Sequence, residues 1–395
     1  GAGPAVGAEP AALSASATPT GGLVPLTPEV MNRLDGAIKQ VMAEASIPGV
    51  VVGYTSPGGS YQRAFGVADK ATGRPMDSDL YFRIGSVTKT FTTTAVLRLV
   101  DQGRLSLDDP VSTYVPNVPG GDGITLRQLG EMRSGLFDYT WDDGFQQAAV
   151  GDPSRSFTPD ELLAYAFKHP PKSPPDTAFD YCNTNLILLG LVLEKVSGQP
   201  VGDVLKAQVF TPAGLPRTVL PTDATIPDPH PRGYTRIPGA DTEVDATDFN
   251  PSSGWASDAA ISTLADLRTW SKALATGERL LEPATQAERL KGKSTGVEGI
   301  DYGFGVLEVH GWVSHPGTTP GFAALTAYLP QARASLVLLL NTDVPHGSSD
   351  LTTLLAEAVT KIVLPNDVFT LPPRPQQQAP ESSPSTGDTG SARAL

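Results

Sequence analysis

The sequence predicts an α+β fold in which one antiparallel sheet is flanked by N- and C-terminal helices, plus an all-α lobe. Apolar residues recur at helical spacing near both ends of the chain, and short strand patterns joined by turns follow one another after residue 300. A long series of helical patterns lies between these regions. We therefore expect an α/β lobe formed by about 27–100 and 255–365 and a helical lobe formed by about 101–254, with the functional site in the cleft between them.

The first predicted elements are a helix and a hairpin. Thr27 is a typical N-cap, because Pro28 follows it at the first helical position and apolar residues then recur at helical spacing. Residues 50–54 and 61–67 have strand composition around the turn sequence Ser-Pro-Gly-Gly at 56–59. This stretch predicts one helix packed on two antiparallel strands.

The middle and the C-terminal part of the chain differ in periodicity. In the middle, helical patterns at 158–168 and 184–197 are separated by loops rich in proline and glycine. Further helices are expected at 258–274 and 349–363. Between these two helices lie three predicted strands, 302–309, 323–329 and 335–340. Since the strands are short and joined by turns, they predict an antiparallel meander.

Composition sets both ends of the 395-residue chain apart from a single domain at 27–370. Residues 1–26 are rich in Ala, Gly, Pro, Ser and Thr, which predicts a flexible leader. Residues 371–395 are rich in Pro, Gln, Ser, Thr and Gly, which predicts a disordered tail.

Charge and residue usage exclude several classes of function. The 42 acidic and 29 basic residues give a net charge of −13, so we expect neither nucleic acid nor an anionic membrane as partner. Cys182 is the only cysteine and the five histidines lack metal-binding spacing, so we expect no disulfide, no metal and no other cofactor. No apolar run reaches the roughly 18 residues that span a bilayer. Because numbering begins at Gly1, we expect a secreted or cell-envelope protein that has lost an export signal, and a monomer.

Ser86 and Lys89 form the first candidate catalytic pair. If both lie on one helix, a spacing of three places them on the same face, with Cβ atoms about 5–6 Å apart. An apolar helical pattern follows, so Ser86 would stand at a helix N-terminus, where N–H groups favour developing negative charge. Lys89 could then accept the proton of the Ser86 hydroxyl. Ser-x-x-Lys occurs once in this chain, although the pattern alone is common by chance.

Tyr181 and Asn183 form the second candidate motif, directly before the helix predicted at 184–197. In an extended segment they would face the same side, where tyrosine can pass a proton and asparagine can hold a substrate amide. The alternative is a capped helix start with a packed tyrosine.

His315, Gly317 and Thr318 form the third motif and lie between two predicted strands. Gly317 would let a substrate approach the backbone, and the N–H of Thr318 could complete an oxyanion hole with that of Ser86. The alternative is a glycine-rich turn with an exposed histidine.

A competing nucleophile is Ser294, in the Gly-x-Ser-x-Gly sequence of 292–296. A nucleophile elbow needs a buried strand before the serine and a helix after it. Here a polar stretch precedes the motif, which predicts a chance match in a surface loop.

Together, the three motifs resemble those of the serine β-lactamase and penicillin-binding-protein superfamily. Ser-x-x-Lys, Tyr-x-Asn and His-x-Gly in this order are the marks of that superfamily, and the chain is most similar to its class C β-lactamase-like branch. Over residues 27–365 it resembles the soluble, secreted D-alanyl-D-alanine carboxypeptidases of that branch. The stretches that carry the likeness are 67–74, 82–89, 133–140 and 181–185.

The resemblance implies catalysis through an acyl-enzyme. Ser86 would attack a carbonyl carbon, while Lys89 and Tyr181 would move the proton to and from the leaving group and water. Asn183 would hold the acylated side chain of the substrate. His315 would stand where β-lactamases carry a lysine, as it does in the carboxypeptidases.

Two residues depart from the carboxypeptidase pattern. Pro316 stands where those enzymes carry a threonine, and Leu307 stands where they carry an arginine that binds the substrate carboxylate. Loss of a charge-assisted, often bidentate partner weakens binding of a carboxylate. A free C-terminal D-alanine is therefore expected to bind less well than an uncharged ester or amide.

Several substrate classes stay open for the enzyme. D-alanyl-D-alanine carboxypeptidase activity on peptidoglycan-type peptides, with reactivity toward penicillins, is the expected function. A short-chain esterase, a weak class C-type β-lactamase and a D-amino-acid-specific amidase are alternatives that differ in pocket walls. A non-catalytic penicillin- or peptidoglycan-binding module is the alternative of a different class, but it should have lost the nucleophile or the base. Since Ser86 and Lys89 are both present, we expect an enzyme that acts on a small peptide, ester or β-lactam.

Overall fold

The fold is built on an eight-stranded antiparallel sheet. The structure, a computed structural model, describes residues 22–373. The strands are β1 Gly49–Ser56, β2 Gly59–Gly66, β3 Phe82–Arg83, β4 Tyr234–Arg236, β5 Glu243–Asp245, β6 Ile261–Ser262, β7 Lys293–Val297, β8 Ile300–Tyr302, β9 Leu307–Val309, β10 Trp312–Thr319, β11 Phe322–Leu329 and β12 Ala334–Leu340. The large sheet has the order β2-β1-β12-β11-β10-β9-β8-β7, and all its neighbouring pairs are antiparallel. Two small antiparallel pairs, β3 with β6 and β4 with β5, lie outside it.

Helices cover the sheet. The α-helices are α1 Pro28–Ala45, α2 Thr88–Asp101, α3 Leu126–Gly130, α4 Asp143–Gly151, α5 Pro159–Phe167, α6 Asn183–Ser197, α7 Val201–Leu205, α8 Thr211–Ala213, α9 Leu264–Thr276, α10 Pro283–Arg289 and α11 Leu351–Val363. α1 packs on α11, while α11 and α9 both pack against β11 and β12. Every residue of β10, β11 and β12 is buried, so both faces of the centre of the sheet are covered. The predicted α+β class, a large antiparallel sheet flanked by the N- and C-terminal helices of the domain, is confirmed.

The domain extends beyond both predicted boundaries. The Val24 N–H donates to the Val363 carbonyl at 3.0 Å, and the Leu26 N–H donates to the Gly58 carbonyl at 3.0 Å. Leu371 is buried in the core at the other end. The boundaries placed at 26/27 and 370/371 were wrong by a few residues, because apolar side chains inside otherwise polar segments pack on the sheet and its helices. The remainder of the predicted leader and tail, 1–21 and 374–395, lies outside the described residues.

The region between residues 101 and 254 contains α3 to α8, of which α5 and α6 match the helices predicted at 158–168 and 184–197, and it also contains the unpredicted hairpin of β4 and β5. The hairpin lies within the proline-rich loop sequence at 227–238 and the residues that follow it. Strands of three residues leave too short a period-2 pattern to be recognised. Among residues 22–373, no helix is long and apolar enough to cross a bilayer.

The motif that begins at His315 lies inside strand β10 and not between two strands, so that expectation was wrong. Pro316 and Gly317 are residues that normally argue against a strand interior. They are tolerated because β9 pairs with β10 only at 312–314. From His315 onward β10 has a partner strand on the β11 side alone, and proline is compatible with such an edge.

Candidate active site

Ser86 lies at the start of α2, in a single 3-10 turn formed by Gly85–Val87. The Nζ of Lys89 donates a hydrogen bond to Oγ of Ser86 at 2.8 Å, and both side chains are fully buried. The helical spacing of three residues thus brings hydroxyl and amine into direct contact. A neutral amine at this distance can accept the hydroxyl proton and leave Oγ as a nucleophile.

Lys89 has neighbours on two further sides. Its Nζ also donates to the backbone carbonyl of Ser257 at 3.3 Å and lies 4.8 Å from the centre of the Tyr181 ring. The Tyr181 ring in turn lies 6.2 Å, centre to centre, from the ring of His315. The fold therefore brings together the three residues proposed for proton transfer, Ser86, Lys89 and Tyr181.

Asn183 is the first residue of α6 and is held from both sides. Its backbone N–H and its Nδ2 each donate to Oδ2 of Asp138 at 3.0 Å. Its Oδ1 accepts a hydrogen bond from Oγ of Ser257 at 2.8 Å. The amide is therefore fixed in one orientation, and Ser257 links it to Lys89, whose Nζ bonds the carbonyl of the same serine.

Two glycines let β10 approach the start of α2. A Cβ placed on Gly317 would lie 2.7 Å from the Ser86 nitrogen and 2.2 Å from the Ile84 carbonyl oxygen. A Cβ placed on Gly85 would lie 2.8 Å from the backbone nitrogen of Thr318. Gly85 also has φ +55°, a conformation that favours glycine. The backbone N–H groups of Ser86 and Thr318 are consequently held at neighbouring points of two segments in van der Waals contact.

His315 is fully buried and its two ring nitrogens are engaged within the protein. Its Nδ1 lies 2.7 Å from the Pro316 carbonyl oxygen, which only accepts, so Nδ1 carries the hydrogen. Its Nε2 lies 2.8 Å from the Tyr302 hydroxyl and therefore accepts from it. Burial lowers the pKa of His315 to about 3, and the charge that Lys89 carries when it is protonated acts in the same direction. The ring is neutral at pH 7, and its contacts connect strands β8 and β10 instead of presenting a nitrogen to a substrate.

Three residues of the site were missed by sequence reasoning: Asp138, Ser257 and Tyr302. Asp138 lies in the stretch 133–140 that carries the family likeness, and Tyr302 lies in the strand predicted at 302–309. Neither the likeness nor the strand pattern assigned a role to these two side chains. Ser257 has no motif of its own. Its link to Asn183 joins residues 74 positions apart in the sequence, which no local pattern encodes.

Ser294 lies apart from this arrangement. It is exposed on β7, an edge strand of the large sheet, where a loop was expected. A turn and then β8 follow it, so the helix required of a nucleophile elbow is missing at this position.

Comparison with known proteins agrees with this geometry. The Beta-lactamase family model matches residues 34–360. The chain is 32% identical to penicillin-binding protein 4 of Amycolatopsis lactamdurans, over 46% of this chain and 47% of that protein. It is 34% identical to esterase EstB of Burkholderia gladioli, over 46% of this chain and 50% of the esterase. The crystal structure of a D-stereospecific amidohydrolase from Streptomyces sp. superposes with a TM-score of 0.73 at 30% identity, covering 79% of this chain and 94% of the other.

The first curated relatives are longer than the part of them that this chain matches. The alignments span 65%, 66%, 47% and 50% of their lengths, so they do not transfer the activity of a whole protein. The family model, in contrast, covers most of the chain and includes every residue of the Ser86 site. The protein therefore belongs to the Beta-lactamase family of serine hydrolases.

Proposed function

We propose that the protein forms an acyl-enzyme on Ser86 and hydrolyses small amides or esters whose leaving group carries no charge. The observation that carries the proposal is the 2.8 Å contact between Nζ of Lys89 and Oγ of Ser86. Both side chains are fully buried and therefore shielded from water. The contact pairs a nucleophile with a base.

In the first step Lys89 takes the proton of Ser86 while Oγ bonds to the carbonyl carbon, and the carbonyl oxygen becomes an oxyanion. The backbone N–H groups of Ser86 and Thr318 would stabilise this charge, and one such donor contributes about 2.7–4 kcal/mol. The proton then passes by way of Tyr181 to the leaving nitrogen or oxygen as its bond to carbon breaks. Water attacks the ester, loses its proton to the same groups and releases the acid. The second hydrogen on Nδ2 of Asn183 can donate to the acyl part of the substrate.

The preference for an uncharged leaving group rests on the surroundings of His315. The neutral ring offers no charge to a carboxylate, and Leu307, which pairs with Ser314 in the sheet, is fully buried and carries none either. Lys293 lies opposite Tyr302 in the sheet, and it pairs with Asp176 at 3.2 Å, as Arg133 does at 2.8 Å. A carboxylate desolvated without a partner is costly, so a terminal carboxylate at this end of the cleft is disfavoured. An amidohydrolase and an esterase among the similar proteins support the same preference.

The second candidate is the D-alanyl-D-alanine carboxypeptidase activity expected from the sequence. Similarity to a penicillin-binding protein favours it. Peptidoglycan-type substrates, a location outside the cytoplasm and a monomeric state stay predictions that belong with this candidate.

Intact-mass measurement after incubation with a fluorophosphonate or a penicillin tests the proposal. We expect one adduct in the wild type and in Ser294→Ala and none in Ser86→Ala. The leaving-group preference is tested by comparing kcat/KM for a D-Ala-D-Ala peptide with that for the same acyl group as a methyl ester. A lower value for the ester would reject the uncharged leaving group and leave the carboxypeptidase.

A further inference from the structure

One short segment contacts the catalytic residues although it carries no motif of its own. It consists of the 3-10 turn Trp255–Ser257 and of Asp258, and we refer to it as the 255–258 turn. The carbonyl of Ser257 accepts a hydrogen bond from Lys89, and the hydroxyl of Ser257 donates one to Asn183. Ser257 thereby links two of the three motifs, and Asp258 adds a link to the third, in strand β10.

The link to β10 is a hydrogen bond between two buried side chains. The hydroxyl of Thr319 donates to Oδ2 of Asp258 at 2.7 Å, and the two residues are 1% and 8% exposed. A hydroxyl that donates to a carboxylate forms a charge-assisted bond, which is stronger than a bond between neutral groups. Thr319 is the last residue of β10 and directly follows Thr318, whose N–H belongs to the proposed oxyanion hole. Asp258 therefore holds the neighbour of an oxyanion donor.

Strand β10 needs such a contact because it is paired on one side here. Its pairing with β9 covers 312–314, and within residues 22–373 its partner strand from His315 to Thr319 is β11 alone. A strand with one partner can shift toward or away from the start of α2 unless a further contact holds it. The hydrogen bond from Thr319 to Asp258 is a contact of this kind.

The 255–258 turn is itself closely packed. Trp255 has φ +44°, which is unusual for a bulky residue, and its carbonyl accepts the N–H of Asp258 at 3.1 Å. A Cβ placed on Gly190 of α6 would lie 2.6 Å from the Trp255 ring, and a Cβ placed on Gly254 would lie 2.3 Å from Cβ of Asp258. This packing restricts the carboxylate of Asp258, so that it can serve as a fixed acceptor.

A buried cation supports the negative charge of Asp258. Arg83, three residues before Ser86, is 1% exposed. Burial lowers the pKa of Arg83 to about 10, while the carboxylates of Asp248 and Asp258 act in the opposite direction. The guanidinium is therefore charged at pH 7, and an opposite charge nearby favours the ionised form of a carboxyl group.

We propose that Asp258 is a positioning residue for the oxyanion hole and that, through Thr319, it holds the N–H of Thr318 beside that of Ser86. The inference rests on the acyl-enzyme and the oxyanion hole proposed above, and it adds the residue that aligns them. Oxyanion donors act at about 2.7–3.1 Å from the developing charge, and a misplacement of about 1 Å can lower the rate about 100-fold. A bond that fixes the end of β10 can therefore control kcat without contact to the substrate.

Thr319→Val tests the link, because valine has nearly the shape of threonine but lacks the hydroxyl. We expect kcat/KM for a p-nitrophenyl ester to fall about tenfold or more. The affinity for phenylboronic acid should fall by a similar factor, since boron bonded to Oγ of Ser86 is tetrahedral and carries an oxygen at the position of the oxyanion. Thr319→Ser, which restores the hydroxyl, should return both values close to those of the wild type.

A double-mutant cycle of Asp258→Ala and Thr319→Val tests whether Asp258 acts through Thr319. Both changes break the same bond, so the double variant should lose no more than the larger of the two single losses in kcat/KM. Losses that multiply would contradict a role through Thr319. Should Asp258→Ala fail to fold, the comparison of Thr319→Val with Thr319→Ser decides by itself.

Thr326→Val is the matched control, since Thr326 is a fully buried threonine of β11 whose hydroxyl donates to the Leu267 carbonyl at 3.4 Å. It should leave kcat/KM and the affinity for phenylboronic acid at the wild-type level. Wild-type values in Thr319→Val, or equal losses in Thr319→Val and Thr326→Val, overturn the role of Asp258 while fluorophosphonate labelling of Ser86 still supports the acyl-enzyme. If Ser86 is not labelled, the proposed function and this inference fail together.

Discussion

Replacing Gly317 with alanine should separate β10 from the start of α2 and thereby disrupt the oxyanion hole proposed for Ser86 and Thr318. The added Cβ would lie 2.2 Å from the Ile84 carbonyl oxygen and 2.7 Å from the Ser86 nitrogen, whereas ordinary contact begins at 3.4 Å. Both neighbours are backbone atoms, so one segment has to move by about 1 Å to restore van der Waals contact. The loss of one oxyanion donor costs about 2.7–4 kcal/mol, so we expect kcat to fall about 100- to 1,000-fold.

The measurement is kcat and kcat/KM for a chromogenic ester, together with the melting temperature. Gly36→Ala is the matched control, because Gly36 lies in α1 and a Cβ there meets nothing within 4 Å. The control should keep full activity and gain about 0.5–1 kcal/mol of stability, since glycine is unfavourable inside a helix. A Gly317→Ala enzyme within about threefold of wild-type kcat would show that Thr318 and Ser86 do not form the oxyanion hole.

Three further results are expected. Ser257→Ala removes the donor to the buried Oδ1 of Asn183 but keeps the backbone carbonyl, so the free energy of unfolding should fall by about 1–3 kcal/mol in chemical denaturation; an unchanged value would show that another donor takes over. Tyr302→Phe should cost a similar amount because Nε2 of His315 loses its donor, and full stability in this variant would contradict the assigned tautomer. Because the pKa of His315 is about 3 in the folded protein and 6.5 in the unfolded one, the unfolded state binds the extra proton, and stability should fall from about pH 6.5 toward pH 3 by up to about 1.4 kcal/mol per pH unit. The slope of the free energy of unfolding against pH should become smaller in His315→Gln but not in His346→Gln, the control at an exposed histidine. Equal slopes in the two variants would contradict a buried, neutral imidazole at His315.

The parts of the site that could be predicted are those encoded by local spacing. Ser86 and Lys89 meet because three residues of helix separate them, and Thr27 caps α1 by accepting from the Val30 N–H at 3.2 Å, as its sequence context indicates. Both predictions need only the geometry of one helical turn.

The parts that could not be predicted depend on pairing between distant segments. Asn183 is oriented by Asp138 and Ser257, which lie 45 and 74 residues away in the sequence. The role of His315 also depends on distant segments and therefore differs from the one that its motif predicts. As an isolated motif it offers two nitrogens to a substrate, but the fold places Tyr302 and the Pro316 carbonyl against them.

Strand β10 shows why the residues least typical of a strand stand at the centre of this site. A regular partner strand along its whole length would occupy the side of β10 where the substrate has to lie. The pairing of β9 with β10 ends at Leu307, the first residue of β9, which lies opposite Ser314. Pro316 follows two residues after Ser314, where it cannot donate to a continuing ladder. Gly317 then removes the side chain that would keep the strand away from Ser86. The interruption of β pairing on one side of the strand therefore makes room for the proposed acyl transfer. Substitutions at Pro316 or Gly317 that raise strand propensity should weaken activity even where they stabilise the sheet.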